Sequence, residues 1–265
     1  MSKTILITGS TDGIGKLAAV KLAKDGHHIV LHGRNEQKLH RIIREIKEAS
    51  ENDNIEGFVA DFSSMKAVGE MVKEIGSKFS KIDVLINNAG IYKSPIDKTE
   101  EGLDIRFAVN FFAPYILTNG LLPILNQGEN SRIINLSSAA QSTVRKGTLN
   151  GQATVNASES YAQSKLALTM WSFYLATQVE NINVIAVNPG SLLNTRMVAE
   201  AFGQHWSSAD KGANILYDLA INESYHNDSG KYFDNDKGHF AKANSDAYDD
   251  RLIQELIGKT ESIIK

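Results

Sequence analysis

Tyr161 and Lys165 stand four residues apart at the head of the apolar run 161–176. In a helix that spacing sets the ammonium beside the phenol on one face. A free tyrosine ionises near pH ~10, so its phenolate is scarce at neutral pH; an adjacent buried cation favours the charged form and lowers that value. Each tenfold gain in phenolate takes about 1.4 kcal/mol, which a single ammonium in a poorly solvated site can supply. The pair therefore has the makings of a proton-transfer group. It also has an ordinary reading, a solvated pair on an amphipathic helix, and the rest of the chain must decide between them.

A second stretch able to do chemistry is Thr8-Gly9-Ser10-Thr11-Asp12-Gly13-Ile14-Gly15. It leaves an apolar strand and opens a helix, where free backbone N–H groups and the helix dipole favour phosphate, and where glycines let a pyrophosphate approach closely. The spacing is Gly-x-x-x-Gly-x-Gly, not the commoner dinucleotide fingerprint, and a glycine turn without a ligand is its bland alternative.

Both stretches need elements to hold them. Apolar runs predict strands over 5–8, 29–31, 55–60, 82–86, 132–136 and 183–188. Helical spacing predicts helices over 13–24, 36–49, 65–79, 102–125, from Tyr161 to 176, 209–221 and 247–259, with a short apolar stretch at 231–233 and a kink at Pro114. The expectation is one α/β domain over 1–265, built on a doubly wound parallel sheet of about seven strands with helices on both faces. In such sheets ligands gather at the carboxyl ends of the strands, and each chemistry-bearing stretch directly follows a strand.

The glycine loop 8–15, Asn87-Asn88-Ala89-Gly90, Ser138, the Tyr161 and Lys165 pair and Asn188-Pro189-Gly190, in this order, resemble the short-chain dehydrogenases/reductases over almost the whole chain. The resemblance implies a Rossmann-type fold and NAD(P)-dependent hydride transfer between a carbonyl and an alcohol. It makes Tyr161 the catalytic acid or base, Lys165 the group that lowers its pKa and bonds the nicotinamide ribose, and Ser138 the orienter of the substrate oxygen, with Ser137 competing for that role. Asn110 matches the family's helix asparagine that holds a water behind the lysine; amid Val109, Phe111 and Phe112 it is costly to bury without a hydrogen-bond partner. The cofactor contacts implied are Gly9, Ser10, Thr11, Asp12, Gly13, Ile14, Gly15, Arg34, Asp61, Phe62, Asn88, Ala89, Gly90, Asn110, Tyr161 and Lys165, with Pro189 and Gly190 walling the nicotinamide.

Arg34, just after the second strand, suits a 2′-phosphate, whereas NAD-dependent relatives carry an acidic residue where Gly33 stands. NADP(H) is therefore expected and NAD(H) is the alternative. Glu36 is a nearby carboxylate, and Asp12 stands where many NADP-dependent members have a basic residue. Asp61 resembles an adenine-contacting aspartate or, more plainly, caps the following helix. The family's usual threonine beyond the Pro-Gly pair is replaced by Asn194, with Thr195 one later.

The long stretch 139–160 and Ser229-Gly230-Lys231-Tyr232-Phe233 look like the retinol-dehydrogenase-like branch, so a lipophilic carbonyl or alcohol is the expected partner. Residues 192–206 read as a mobile lid, with Leu193, Met197, Phe202 and Trp206 walling an apolar pocket. The apolar helix 166–176, with Trp171 and Phe173, is a candidate homodimer face. A formal charge of −3, from 28 basic and 31 acidic residues, recommends neither nucleic acid nor an anionic membrane. With no cysteine there is no thiol nucleophile or disulfide, and a reducing cytosol suits the chain. No metal spacing occurs among the seven histidines, neither a signal peptide nor a membrane span is expected, and a cytoplasmic location is the expectation. A non-catalytic NADP(H) sensor on the same fold is the second functional class.

Overall fold

The computed structural model covers residues 2–203 and 205–264, apart from the side chains of residues 201 and 202. Its apolar strands stack into one sheet of eight, in the order β3-β2-β1-β4-β5-β6-β7-β8. The strands are β1 (Thr4–Ile7), β2 (His28–Gly33), β3 (Ile55–Val59), β4 (Val84–Asn87), β5 (Ser131–Leu136), β6 (Ile182–Asn188), β7 (Lys231–Asp234) and β8 (His239–Ala241). All pair in parallel except β8, which runs antiparallel to β7. Ile5, Leu6 and Ile7 lie opposite Val84, Leu85 and Ile86, and this register carries the glycine loop and Asn88 to the same edge.

The helices follow from local signals. Asp12 caps α1 (Gly13–Lys24), Asn35 caps α2 (Glu36–Ser50) and Ser64 caps α3 (Met65–Lys78), each side-chain oxygen accepting a first-turn N–H. Asp61 therefore does not cap the third helix; its carboxylate instead accepts from the Ser63 N–H and hydroxyl in the turn before it. Leu39, Ile42 and Ile46 give α2 one buried stripe, which packs with α1 on one face of the sheet. The remaining helices are α4 (Ile105–Phe107), α5 (Ala113–Leu125), α6 (Lys146–Leu149), α7 (Ala157–Gln178), α8 (Arg196–Phe202), α9 (Ala209–Ile221) and α10 (Asp250–Ile264). Helix α9 joins α1 and α2, while α3, α5 and α7 cover the opposite face with the larger core.

Two sequence expectations change here. The break expected at Pro114 lies just before it: residues Ala108–Phe112 form a π-turn in which the Ala113 N–H bonds the Ala108 carbonyl, and Pro114 falls in the first turn of α5. The whole stretch Ile105–Leu125 is long and apolar enough to cross a membrane, which qualifies the expectation of no spanning segment. In this fold it is a core helix, 67% buried. Strand β8 was invisible to periodicity, since three residues beyond a polar turn carry no repeat.

Two large side chains of the helix expected to pair with a second copy pack within the chain. Trp171 is fully buried beside Tyr115, and Phe173 packs against Tyr248 at the start of the C-terminal region, with α10 lying over α7.

Candidate active site

Helix α7 starts at Asn156, whose side chain accepts the Glu159 N–H, and so brings Tyr161 and Lys165 to the carboxyl edge of β5. Lys165 is 4% exposed, and its ammonium lies 5.7 Å from the centroid of the Tyr161 ring. It donates a 2.7 Å hydrogen bond to the Leu136 carbonyl at the end of β5. Burial brings its pKa down to about 8, as expected for a cation with little water around it. Tyr161 departs from the expected direction. Burial holds its phenol above the ordinary value, with the neighbouring Tyr92 adding to the effect and a hydrogen bond from Ser138 opposing it. The cation faces the ring, and desolvation is the larger influence on the phenol.

The two serines after β5 point different ways. The Ser137 hydroxyl is buried against Thr169 at 2.6 Å and the Lys165 carbonyl at 3.2 Å. Ser138 is the one that meets Tyr161. Its backbone is fixed from an unforeseen direction: the Tyr232 hydroxyl, from β7, and the Gln141 amide both donate to the Ser138 carbonyl, at 3.0 and 2.9 Å.

Asn110 lies inside the π-turn, and its side chain is fully engaged. Its Oδ1 accepts the Ile91 N–H at 2.8 Å, and its Nδ2 donates to the Ile91 carbonyl and the Ser164 hydroxyl, both at 3.0 Å. These bonds answer the cost of burying an amide among phenylalanines. Its backbone carbonyl is set apart from ordinary helix pairing. Pro114 has no N–H, so the donor that would bond that carbonyl in an α-helix does not exist. A Cβ on Gly90 would lie 3.3 Å from the Asn110 oxygen and 3.4 Å from the Lys165 nitrogen, so Gly90, Asn110 and Lys165 meet at one point.

The glycine loop is built tightly from within. Asn88 donates to the carbonyls of Thr8 and Gly9 at 2.7 and 3.0 Å, while the Thr8 hydroxyl accepts the N–H groups of Asn88 and Ala89. A Cβ on Gly15 would run into the Asn88 amide, and one on Gly9 would press on the Ala89 backbone at 2.7 Å, so both must be glycine. Ser10 and Phe62, expected among cofactor contacts, turn their side chains inward. The Ser10 hydroxyl is buried and bonds the Ile7 carbonyl and the His32 N–H, and the Phe62 ring stacks on His32 at 4.1 Å. His32 is itself a residue the sequence did not flag. It is 3% exposed, accepts the Gly9 N–H on Nδ1 at 3.0 Å and faces the Ala60 carbonyl with Nε2 at 3.0 Å. Burial lowers its pKa to about 4, so it is a neutral brace between the glycine loop and β3.

Around the loop the charges are arranged more subtly than the sequence suggested. Arg34 is exposed after β2 and, among the described residues, has no ion-pair partner. Lys38, one turn into α2, reaches Asp12 at 2.9 Å and holds that carboxylate below its ordinary range, so a cation stands near the position where Asp12 replaced one. A Cβ on Gly33 would meet the Thr11 methyl at 2.5 Å, which opposes an acidic side chain there. Thr195 caps α8 and its methyl lies 3.7 Å from where a Cβ on Gly13 would stand, so it borders the loop despite its one-residue offset.

Past β6, Gly190 adopts a φ of 122° that glycine accommodates, and its N–H bonds the Asn188 side chain at 3.2 Å. Of the four residues expected to wall a pocket, Leu193 is buried against Gly190 and Gly212, and Met197 is half-buried. Trp206 projects into solvent at 76% exposure, and the Phe202 side chain lies outside the described residues. Among the described residues no three His, Asp or Glu side chains gather as a metal site.

The parallel sheet, the glycine loop at its carboxyl edge and the Ser138, Tyr161 and Lys165 cluster beside it agree with comparison to known proteins. The family model for short chain dehydrogenases matches residues 3–206, and the chain belongs to that family, as an oxidoreductase acting on CH–OH donors with retinol-dehydrogenase-like features. Human retinol dehydrogenase 13 is 32% identical over 251 residues, covering 88% of this chain and 76% of that protein. Human polyprenol dehydrogenase is 29% identical over 279 residues, covering 97% and 84%. A short chain dehydrogenase of Escherichia coli CFT073, solved in complex with NADPH, superposes with a TM-score of 0.73 at 25% identity, covering 88% of this chain and 96% of that one.

Proposed function

We propose that the protein interconverts a lipophilic aldehyde or ketone and its alcohol, using NADP(H), with Tyr161 as the proton donor or acceptor. The observation that carries this reading is the Tyr161 phenol, bonded by Ser138 and faced by the buried Lys165 ammonium at a strand edge that also bears the glycine loop. The residues present suit a dinucleotide. The first-turn N–H groups of α1 have no intrahelical acceptor, the loop glycines leave backbone bare, and Arg34 and Lys38 offer cations for a 2′-phosphate. NADP(H) is favoured further by the Gly33 contact with Thr11 and by the solved relatives with NADPH or NADP. The lipophilic substrate rests on the retinol and polyprenol dehydrogenases among the relatives.

When bound, the nicotinamide supplies or accepts the hydride. The chain's own part is proton transfer and charge stabilisation. As negative charge builds on a substrate oxygen, the hydroxyls of Ser138 and Tyr161 donate to it, and the Tyr161 proton follows. Lys165 then stands beside a phenolate, and its charge stabilises the form that burial alone disfavours. Asn110 keeps Ile91 and Ser164 in place around that pair.

An NADPH-oxidation screen over lipophilic aldehydes and ketones tests the reading. Turnover by the parent, abolished in Tyr161→Phe while NADPH binding stays within about twofold, is the expected result. Undiminished turnover in Tyr161→Phe refutes the mechanism, and tight NADPH binding without turnover on any carbonyl or alcohol points to a sensor.

A further inference from the structure

We propose that Asp236, at the tip of the β7–β8 hairpin, is a positioning residue for hydride transfer. It acts by holding the segment 188–191, whose Pro189 and Gly190 wall the nicotinamide under the functional reading above, on which this proposal rests.

Every residue of that segment is held by the hairpin tip or by a residue the tip holds. Asp236 Oδ2 accepts the Asn188 amide at 2.9 Å and the Ser191 hydroxyl at 2.5 Å, while its Oδ1 accepts the Ser191 N–H at 2.9 Å. Asn235 donates from Nδ2 to the Pro189 carbonyl at 2.8 Å, and Asn188 in turn accepts the Gly190 N–H. Asp234 takes a second bond from the Asn188 amide at 2.9 Å. Ladder pairing does not require this. The β6–β7 register ends at Asn188 opposite Asp234, so the Asp236 side chain reaches back from beyond the strand.

The segment ends on a strained residue. Leu192 has φ 48°, in the left-handed region, which is sterically unfavourable for a side chain such as leucine. Such a conformation persists only where its surroundings fix it. Ser191, bonded twice by Asp236, fixes one side, and on the other Leu193 is wedged against Gly212. The Leu192 carbonyl also accepts the N–H groups of Trp206 and Ser207, so the loop between them closes on that residue. Removing the Asp236 carboxylate frees Ser191, lets Leu192 relax and shifts the Gly190 wall, and small displacements of a reacting partner are costly in rate.

The experiment uses the full chain with NADPH and the best carbonyl from the screen. Asp236→Ala is expected to lower kcat about tenfold or more, to raise the primary isotope effect with 4-deuterated NADPH, and to leave the dissociation constant for 2′,5′-ADP, a probe of the adenosine half, within about twofold. Ser191→Ala is expected to lower kcat less, and to add nothing in the Asp236→Ala background. A folded Asp236→Ala with parental kcat and isotope effect overturns the proposal. If that variant does not fold, Asp236→Asn, which keeps the side-chain volume, is measured the same way, and parental values in it overturn the proposal equally. A parent that binds no NADPH refutes the functional reading instead, so the two failures are distinct.

Discussion

The Tyr232 hydroxyl donates a 3.0 Å hydrogen bond to the Ser138 carbonyl, joining the seventh strand to the serine that bonds the Tyr161 phenol. Tyr232 is buried, and burial keeps its phenol protonated far above neutral pH, so it is a permanent donor. Ser138 therefore has its backbone set by two side chains, Tyr232 and Gln141, and its hydroxyl, which accepts the Ala140 N–H at 3.1 Å, keeps its proton for the site.

Tyr232→Phe removes one of those two bonds without changing the ring. The expected loss of stability is about 0.5–1.5 kcal/mol. Turnover should fall severalfold, with NADPH affinity unchanged, measured by denaturant melts and by the split between kcat and the cofactor dissociation constant.

Lys165 is a cation kept at a cost. Its pKa is about 8 in the fold and is near ~10.4 in an unfolded chain, so the unfolded state binds more protons between those values. Its burial therefore destabilises the fold fully below pH ~8, and that cost fades as pH rises through ~10.4. Lys165→Met should stabilise the protein at pH 7, by up to about 3 kcal/mol, while removing turnover. Thermal melts at pH 7 and pH 10.5 check this: the variant's advantage should shrink at the higher pH.

His32 has the opposite experimental window. Its neutral ring accepts the Gly9 N–H, and a pKa of about 4 lies below the ~6.5 of an unfolded histidine. The unfolded state takes up the proton first as pH falls, so stability is full above ~6.5 and is lost on the way down towards 4. Between pH 7 and pH 5 the loss should be about 2 kcal/mol. His32→Asn, whose amide oxygen can still accept from Gly9, should flatten that dependence in urea melts; an unchanged slope assigns it to other groups, His27 among them.

Cofactor choice should follow the cations after the second strand. Arg34→Ala and Lys38→Ala are each expected to weaken NADPH by roughly 10- to 150-fold, at about 1.5–3 kcal/mol per charged hydrogen bond lost, with little effect on NADH. Equal losses for both cofactors would count against the 2′-phosphate assignment. Gly33→Asp should lower NADPH binding without gaining NADH, because Thr11 occupies the space; pairing it with Thr11→Ser should recover NADH binding.

Much of the site was legible because its signals are local. The four-residue spacing of Tyr161 and Lys165, the glycines after β1 and the Pro189-Gly190 stop each declare themselves within one turn of chain. The strands were legible for the same reason, as short apolar runs between turns. What escaped detection joins residues far apart in sequence. Tyr232 meets Ser138, Asp236 meets Ser191 and Lys38 meets Asp12 only after the sheet has formed. Side-chain direction was not legible either: the Phe62 ring stacks on His32, and the Ser10 hydroxyl accepts the His32 N–H. The Tyr161 phenol is held above its ordinary pKa, not below it, because spacing reports a neighbouring charge but not the water that burial removes.

The π-turn before Pro114 has a consequence for how the site behaves over time. Most helix defects can anneal, since a backbone carbonyl released in one register is recaptured in another on a fast timescale. Here the competing donor is missing from the covalent structure, so no fluctuation can return the Asn110 carbonyl to α-helical pairing with residue 114. Its exclusion from that pairing is a fixed property of the chain instead of a population, and Pro114→Ala would turn that constant back into an equilibrium.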